Sequence, residues 1–149
     1  MRLRFIALAA LAAAFVPAAA LGTGSGTVEL DATLAGKNEV PKGDPKATGK
    51  AAVTLDAAAG KVCWQFTLTG VKGPNAAHIH KGAPGTAGGV VVAFGTAYKS
   101  KGCTSAPKSV VAAIIAKPAA YYVNVHTSKY PAGAVRGQLS KSSGAAYMY

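Results

Sequence analysis

Apolar residues recur at every second position along most of this chain, in short runs separated by Gly, Pro, Asn and Ser. Residues 27–34 set Val28, Leu30, Ala32 and Leu34 in alternation with Glu29, Asp31 and Thr33. Residues 50–55 carry Ala51, Val53 and Leu55, and residues 61–68 carry Val62, Trp64, Phe66 and Leu68 on one side. Shorter runs follow at 76–80, 89–94, 120–127 and 134–139. Successive side chains of a strand point to opposite faces, so this alternation marks strands with one face on a core. Seven such strands, broken by turn signals such as Gly43-Asp44-Pro45 and Ala58-Ala59-Gly60, predict an all-β fold, an antiparallel β-sandwich or barrel. Segment 109–116 also suits a strand, but Val110, Ala113 and Ile114 fall on one helical face. It predicts a short helix or turn-rich crossover stopped by Pro118. Residues 21–26 and 140–149 are expected to be frayed ends.

The first twenty residues break the pattern. Residues 1–4 carry Arg2 and Arg4, residues 5–16 form an Ala- and Leu-rich apolar run, and Ala18-Ala19-Ala20 offers small residues for cleavage. This reads as a secretory signal peptide over 1–20, followed by a single domain over 21–149. The apolar run is too short to span a bilayer, and no later stretch replaces it, so no transmembrane anchor is expected. The predicted location is outside the cytoplasm: periplasmic, secreted or associated with the cell surface.

Charge adds one qualification. Without Arg2 and Arg4, 14 of the 16 basic residues remain against five acidic ones, a formal charge of +9. Thirteen of these are lysines spread through the turns and strand ends. A nucleic-acid surface clusters its charge and adds Arg and stacking aromatics, so no nucleic-acid partner is expected. A positive field of this kind attracts anions, and an anionic cell-surface polymer or another protein is the expected class of macromolecular partner. Cys63 and Cys103 are the two cysteines. In an exported chain such a pair predicts a disulfide closing a loop of about forty residues, worth roughly 3–4 kcal/mol in the chain-entropy model. Buried free thiols are the alternative.

The chain has three histidines: His78-Ile79-His80, and His126 in Tyr121-Tyr122-Val123-Asn124-Val125-His126-Thr127. On strands, His78 and His80 share a face, and Tyr122, Asn124 and His126 share the face opposite Val123 and Val125. With the apolar residues on the core, all three imidazoles point outward. Imidazole is the commonest side-chain ligand of copper and zinc, so His78, His80 and His126 are the candidate metal ligands. Histidines hydrogen-bonded to backbone are the alternative. Coordination needs neutral imidazole, so affinity is expected to fall as pH drops through roughly 6.5. Arg136 and Gln138 lie opposite Val135 and Leu139. A hairpin pairing 127 with 135 sets Arg136 beside His126. There Arg136 either pairs with Glu39, its candidate partner, or guides an anion to a metal. Arg136, Glu39 and Asn124 are thus candidates for the shell around the histidines. Enzyme signatures are thin. No two carboxylates are placed as a catalytic pair, and there is no nucleotide-binding loop. The Gly-rich stretch 80–89 reads as a long turn.

These residues carry a resemblance. Leu34-Ala35-Gly36-Lys37-Asn38-Glu39-Val40-Pro41, Ala77-His78-Ile79-His80-Lys81-Gly82, Gly88-Gly89-Val90-Val91-Val92, and the blocks 121–127 and 131–139 together resemble a CHRD domain, the module named after chordin. Ala134 stands where that family usually has an acidic residue. The resemblance implies a Greek-key barrel of immunoglobulin-like form, similar to copper/zinc superoxide dismutase. It also implies a reduced copper site at most, because the dismutase uses more histidines than this chain has. Three readings of function follow. The first is an exported copper-binding protein using the three histidines, with zinc as the alternative metal. The second is a non-metal extracellular interaction module. The third is a copper-dependent enzyme acting on superoxide or another small oxidant.

Overall fold

The computed structural model describes residues 26–143. The signal peptide expected at 1–20 lies outside the described residues, as does the end of the tail. Nine strands form one antiparallel sheet: β1 (Val28–Ala35), β2 (Thr48–Asp56), β3 (Lys61–Thr69), β4 (Pro74–Lys81), β5 (Val90–Ala93), β6 (Lys101–Ser105), β7 (Tyr121–Thr127), β8 (Val135–Gln138) and β9 (Ser140–Lys141). The order is β5-β4-β7-β8-β1-β2-β3-β6, with β9 added to β1, and the sheet curls into a nearly closed barrel.

The seam between β5 and β6 is bridged by the chain that joins them. Phe94 N–H donates to the Ala77 carbonyl (3.0 Å), Tyr98 N–H to the Asn75 carbonyl (2.9 Å), and Phe66 N–H to the Ser100 carbonyl (2.7 Å). Segment 94–100 therefore leads from β4 across to β3. With β3 beside β6 and β4 beside β5, the links from β3 to β4 and from β6 to β7 cross the barrel ends. This is the expected Greek key.

The alternation read from the sequence builds the interior. Leu30, Leu34, Val53, Leu55, Val62, Ile79, Val123, Val125 and Val135 are fully buried. The β2–β3 turn shows why local residues set the register. Asp56 Oδ1 accepts the Ala59 N–H at 2.9 Å, and Gly60 takes the left-handed conformation (φ +66°) that glycine adopts at no steric cost. Segment 109–116 becomes a helix, α1 (Lys108–Ala116). Its buried pair is Val111 and Ile114, three apart on one face, rather than the Val110, Ala113 and Ile114 expected.

Two strands were not legible in the pattern. β6 reads Lys-Gly-Cys-Thr-Ser, with no large apolar residue, because its inward position opposite Trp64 is Gly102. A Cβ at Gly102 would lie 2.8 Å from the indole, so the strand contributes space to the core rather than volume. Trp64 fills it, stacking on Phe94 (ring centroids 4.7 Å) and donating Nε1–H to the Lys99 carbonyl at 2.9 Å. The second is β9: Ser140 and Lys141 pair with Asp31 and Leu30, so the expected fraying does not begin at residue 140. Cys63 and Cys103 are direct partners across β3 and β6 and form the expected disulfide on the outer face.

Two outcomes follow. Intact mass without reductant is expected to be two hydrogens below the reduced form, with no thiol open to alkylation. Trp64→Ala is expected to destabilise the protein by about 3–5 kcal/mol in chemical denaturation, because it empties the space under Gly102 and strips Phe94 of its partner.

Candidate metal centre

β4 and β7 pair so that Ala76 faces His126, His78 faces Asn124 and His80 faces Tyr122. On the far side of β7, β8 sets Arg136 opposite Asn124 and Gln138 opposite Tyr122. The register corrects the hairpin expected from sequence. Arg136 is not the cross-strand neighbour of His126. It lies at the end of a row running His78, Asn124, Arg136 across three strands.

All three imidazoles project from the face opposite the core, as the alternation requires. That face is not open, however. Segment 82–89 folds back over it as a lid, and His80 is buried. The reason is local. Lys81 N–H donates to the Gly89 carbonyl (3.0 Å) and Gly82 N–H to the Ala120 carbonyl (2.9 Å), while Gln138 Nε2 donates to the Gly82 carbonyl at 2.7 Å. Gly88 passes so close to Lys81 that a Cβ would overlap its carbonyl oxygen.

Two backbone carbonyls, one of them in the lid, decide which nitrogen His80 and His126 offer. His80 Nδ1 lies 2.8 Å from the Gly88 carbonyl, an oxygen that can only accept, so Nδ1 carries the proton and Nε2 keeps its lone pair. His126 Nδ1 donates in the same way to the Pro131 carbonyl at 3.0 Å, leaving Nε2 as an acceptor. His126 Nε2 accordingly accepts a hydrogen bond from His78 Nδ1 at 3.0 Å. One nitrogen from each of the three rings lies within 4.8 Å of the others. His80 Nε2 is buried and has no hydrogen-bond partner among the described residues. Orphaned buried polar atoms are uncommon in folded proteins.

Burial also favours the neutral form of His78 and His126. Desolvation, helped by the neighbouring His126 and His80, lowers the His78 pKa from 6.5 to about 4. Desolvation likewise lowers that of His126, partly offset by its bond to Pro131. A metal ion at His78 or His126 would meet less competition from protons than on exposed histidines.

The surrounding shell consists of layered rings and one buried ion pair. Tyr122 stacks flat on His80 (centroids 4.8 Å, 6° between planes), and its hydroxyl accepts the Gly88 N–H at 3.1 Å. The Arg136 guanidinium lies 4.2 Å over the Tyr122 ring. Arg136 donates Nε–H to the Asn38 carbonyl (2.7 Å) and Nη1–H to the Thr86 carbonyl (3.0 Å), tying the 36–40 segment to the lid. Glu39 Oε2 is 4.0 Å from Arg136 Nε. Glu39 is itself buried, against Gly133, where any Cβ would collide with its carboxylate. Desolvation raises its pKa to about 7, against the opposing pull of Arg136, the Val40 N–H and Asn124. Asn124 is buried between the two sides, with Oδ1 unpartnered among the described residues.

Sequence reasoning did not single out Tyr122, Gly88 and Pro131 as supports. Tyr122 was within reach, because period two puts it on the face of Asn124 and His126. Gly88 and Pro131 act through backbone carbonyls, which any residue type supplies, so their identities carry no signal.

The family model for the CHRD domain matches residues 30–139, and the chain belongs to the CHRD domain family. No curated protein and no solved structure matches it. CHRD domains are extracellular interaction modules, and the Cys63–Cys103 disulfide suits an oxidising compartment outside the cytoplasm. No helix among the described residues is long and apolar enough to cross a membrane.

Glu39 generates a test of this shell. Its folded-state pKa is raised, so its contribution to stability is fully present below pH 4.5 and is lost as pH rises through about 7. Glu39→Gln should therefore gain on the native protein by about 1–3 kcal/mol between pH 4.5 and pH 8 in denaturant titrations. His78 has the opposite sign. Its lowered pKa makes the native protein lose stability, relative to His78→Ala, as pH falls from 6.5 toward 4.

Proposed function

We propose that this chain is an exported module that binds copper through His78, His80 and His126. The supporting observation is the fixed tautomers. Two Nδ1–H groups are committed to backbone carbonyls, which leaves the lone pairs of His80 and His126 on Nε2, and one nitrogen from each of the three rings lies within 4.8 Å of the others. Metal-ligating histidines characteristically donate their second nitrogen to a carbonyl or carboxylate in this way. The buried, unpartnered His80 Nε2 fits the same reading, since a metal ion would satisfy it. Three imidazole nitrogens suit copper and zinc, and the Irving–Williams order favours Cu(II) over Zn(II) at an equal ligand set. Bound copper would supply one-electron redox chemistry. The chain's own residues favour the neutral form of His78 and His126, aim His80 and His126 through backbone carbonyls and place the lid over His80. With His78 lowered to about 4 and His126 lowered as well, affinity is expected to persist below the pH of 6.5 that ordinary histidines would set.

Family membership supports the second reading, an interaction module whose histidines are structural. Calorimetry and elemental analysis separate the two. The metal reading expects about one copper per chain, with His78→Ala, His80→Ala and His126→Ala each weakening binding by roughly 100-fold. A protein that binds neither copper nor zinc at micromolar concentration, or a triple alanine variant that binds as well as the native chain, leaves the interaction module standing. Turnover of superoxide by the loaded protein is the separate mark of the enzyme reading.

A further inference from the structure

The polar groups left over by the histidine cluster converge on a second place. A cavity of about 420 Å³ opens between the 37–42 segment, the lid tip at Pro84 and Gly85, and β8. Its walls include Lys37, Lys42, Glu39 and Arg136, three cationic side chains against one carboxylate, and no histidine. Arg136 is 2% exposed. Its guanidinium is held in place by the Tyr122 ring beneath it and by two backbone carbonyls, yet Nη2 has no partner among the described residues. Glu39 does not complete it: the carboxylate stands 4.0 Å from Nε, beyond hydrogen-bond distance, and Oε1 likewise has no partner among the described residues. A buried guanidinium nitrogen without an acceptor is costly, because it has lost its water and gained nothing in exchange.

We infer that this cavity is a binding site for a small oxyanion, a free phosphate or a carboxylate, held by Arg136 with Lys37 and Lys42 at its mouth. The remaining guanidinium nitrogen, Nη2, is a charge-assisted donor suited to an oxygen of either anion, and the lysines add point charges that need no fixed geometry. The lid tip bounds the cavity, so it suits a small molecule rather than a polymer. The site is independent of the metal reading, because no histidine contributes to it.

The test is a titration of the purified protein with inorganic phosphate and with acetate, followed by amide NMR, with chloride at equal ionic strength as the control. Saturable shifts are expected around Asn38, Gly85 and Gly137 with one or both oxyanions, and the responding anion identifies the class. A Lys37→Ala/Lys42→Ala double variant, altered only in lysines, should bind several-fold more weakly. Glu39→Gln, which removes the one negative charge of the lining and keeps its shape, should bind several-fold more tightly. His78→Ala should bind the anion as the native chain does. Shifts that grow linearly without saturating, that chloride reproduces, or that spread over the remaining lysines would overturn the site. So would unchanged affinity in the double lysine variant or lost affinity in His78→Ala.

Discussion

One buried guanidinium organises everything on the outer face of β4, β7 and β8. Arg136 takes the Asn38 carbonyl on one side and the Thr86 carbonyl on the other, and lies over Tyr122 between them. The lid, the 36–40 segment and the sheet meet at this side chain. They are joined by charge-assisted hydrogen bonds in a place with little water, where such bonds are strong. The placement of Gly88 over His80 depends on that arrangement, because the lid that carries it is held down at Thr86.

β7 shows what this requires of a strand. Six of its seven residues are buried, on both faces. Its inner side is Tyr121, Val123 and Val125, which pack by area. Its outer side is Tyr122, Asn124 and His126, which pack only with the right partners. Tyr122 is satisfied by His80, Gly88 and Arg136, whereas Asn124 keeps an unpartnered oxygen. A core that relied on area alone would have no use for such a face.

Burial acts in opposite directions on the two kinds of titrating group in this layer. It penalises charge in both, so it lowers the pKa of His78 and raises that of Glu39. Across the pH range between their ordinary values both tend to neutrality. The lid region is thereby less charged than its composition implies, and Arg136 is left as its dominant fixed charge.

The strands and their faces were legible in the sequence because the side-chain period of a strand is fixed by backbone geometry. Leu30, Val53, Trp64, Ile79 and Val123 announce the core with no knowledge of their partners. The common face of His78 and His80 follows from the same period, as does that of His126 with Asn124. The disulfide was legible because only two cysteines exist. Strand β6 was not, since its role is to leave room for Trp64 across a non-local pairing. Nor was the register of β8 on β7, where a shift of two residues keeps every side chain on its face and moves Arg136 from His126 to Asn124. The covering of the histidines was likewise hidden. It depends on backbone carbonyls at Gly88 and Pro131, which every sequence possesses, and on a glycine contact that exists only once Lys81 is in place. Periodicity determined which residues face outward. Only the tertiary structure decided that outward, on this side of the barrel, means buried for His80, Tyr122, Asn124 and Arg136 and half-buried for His78 and His126.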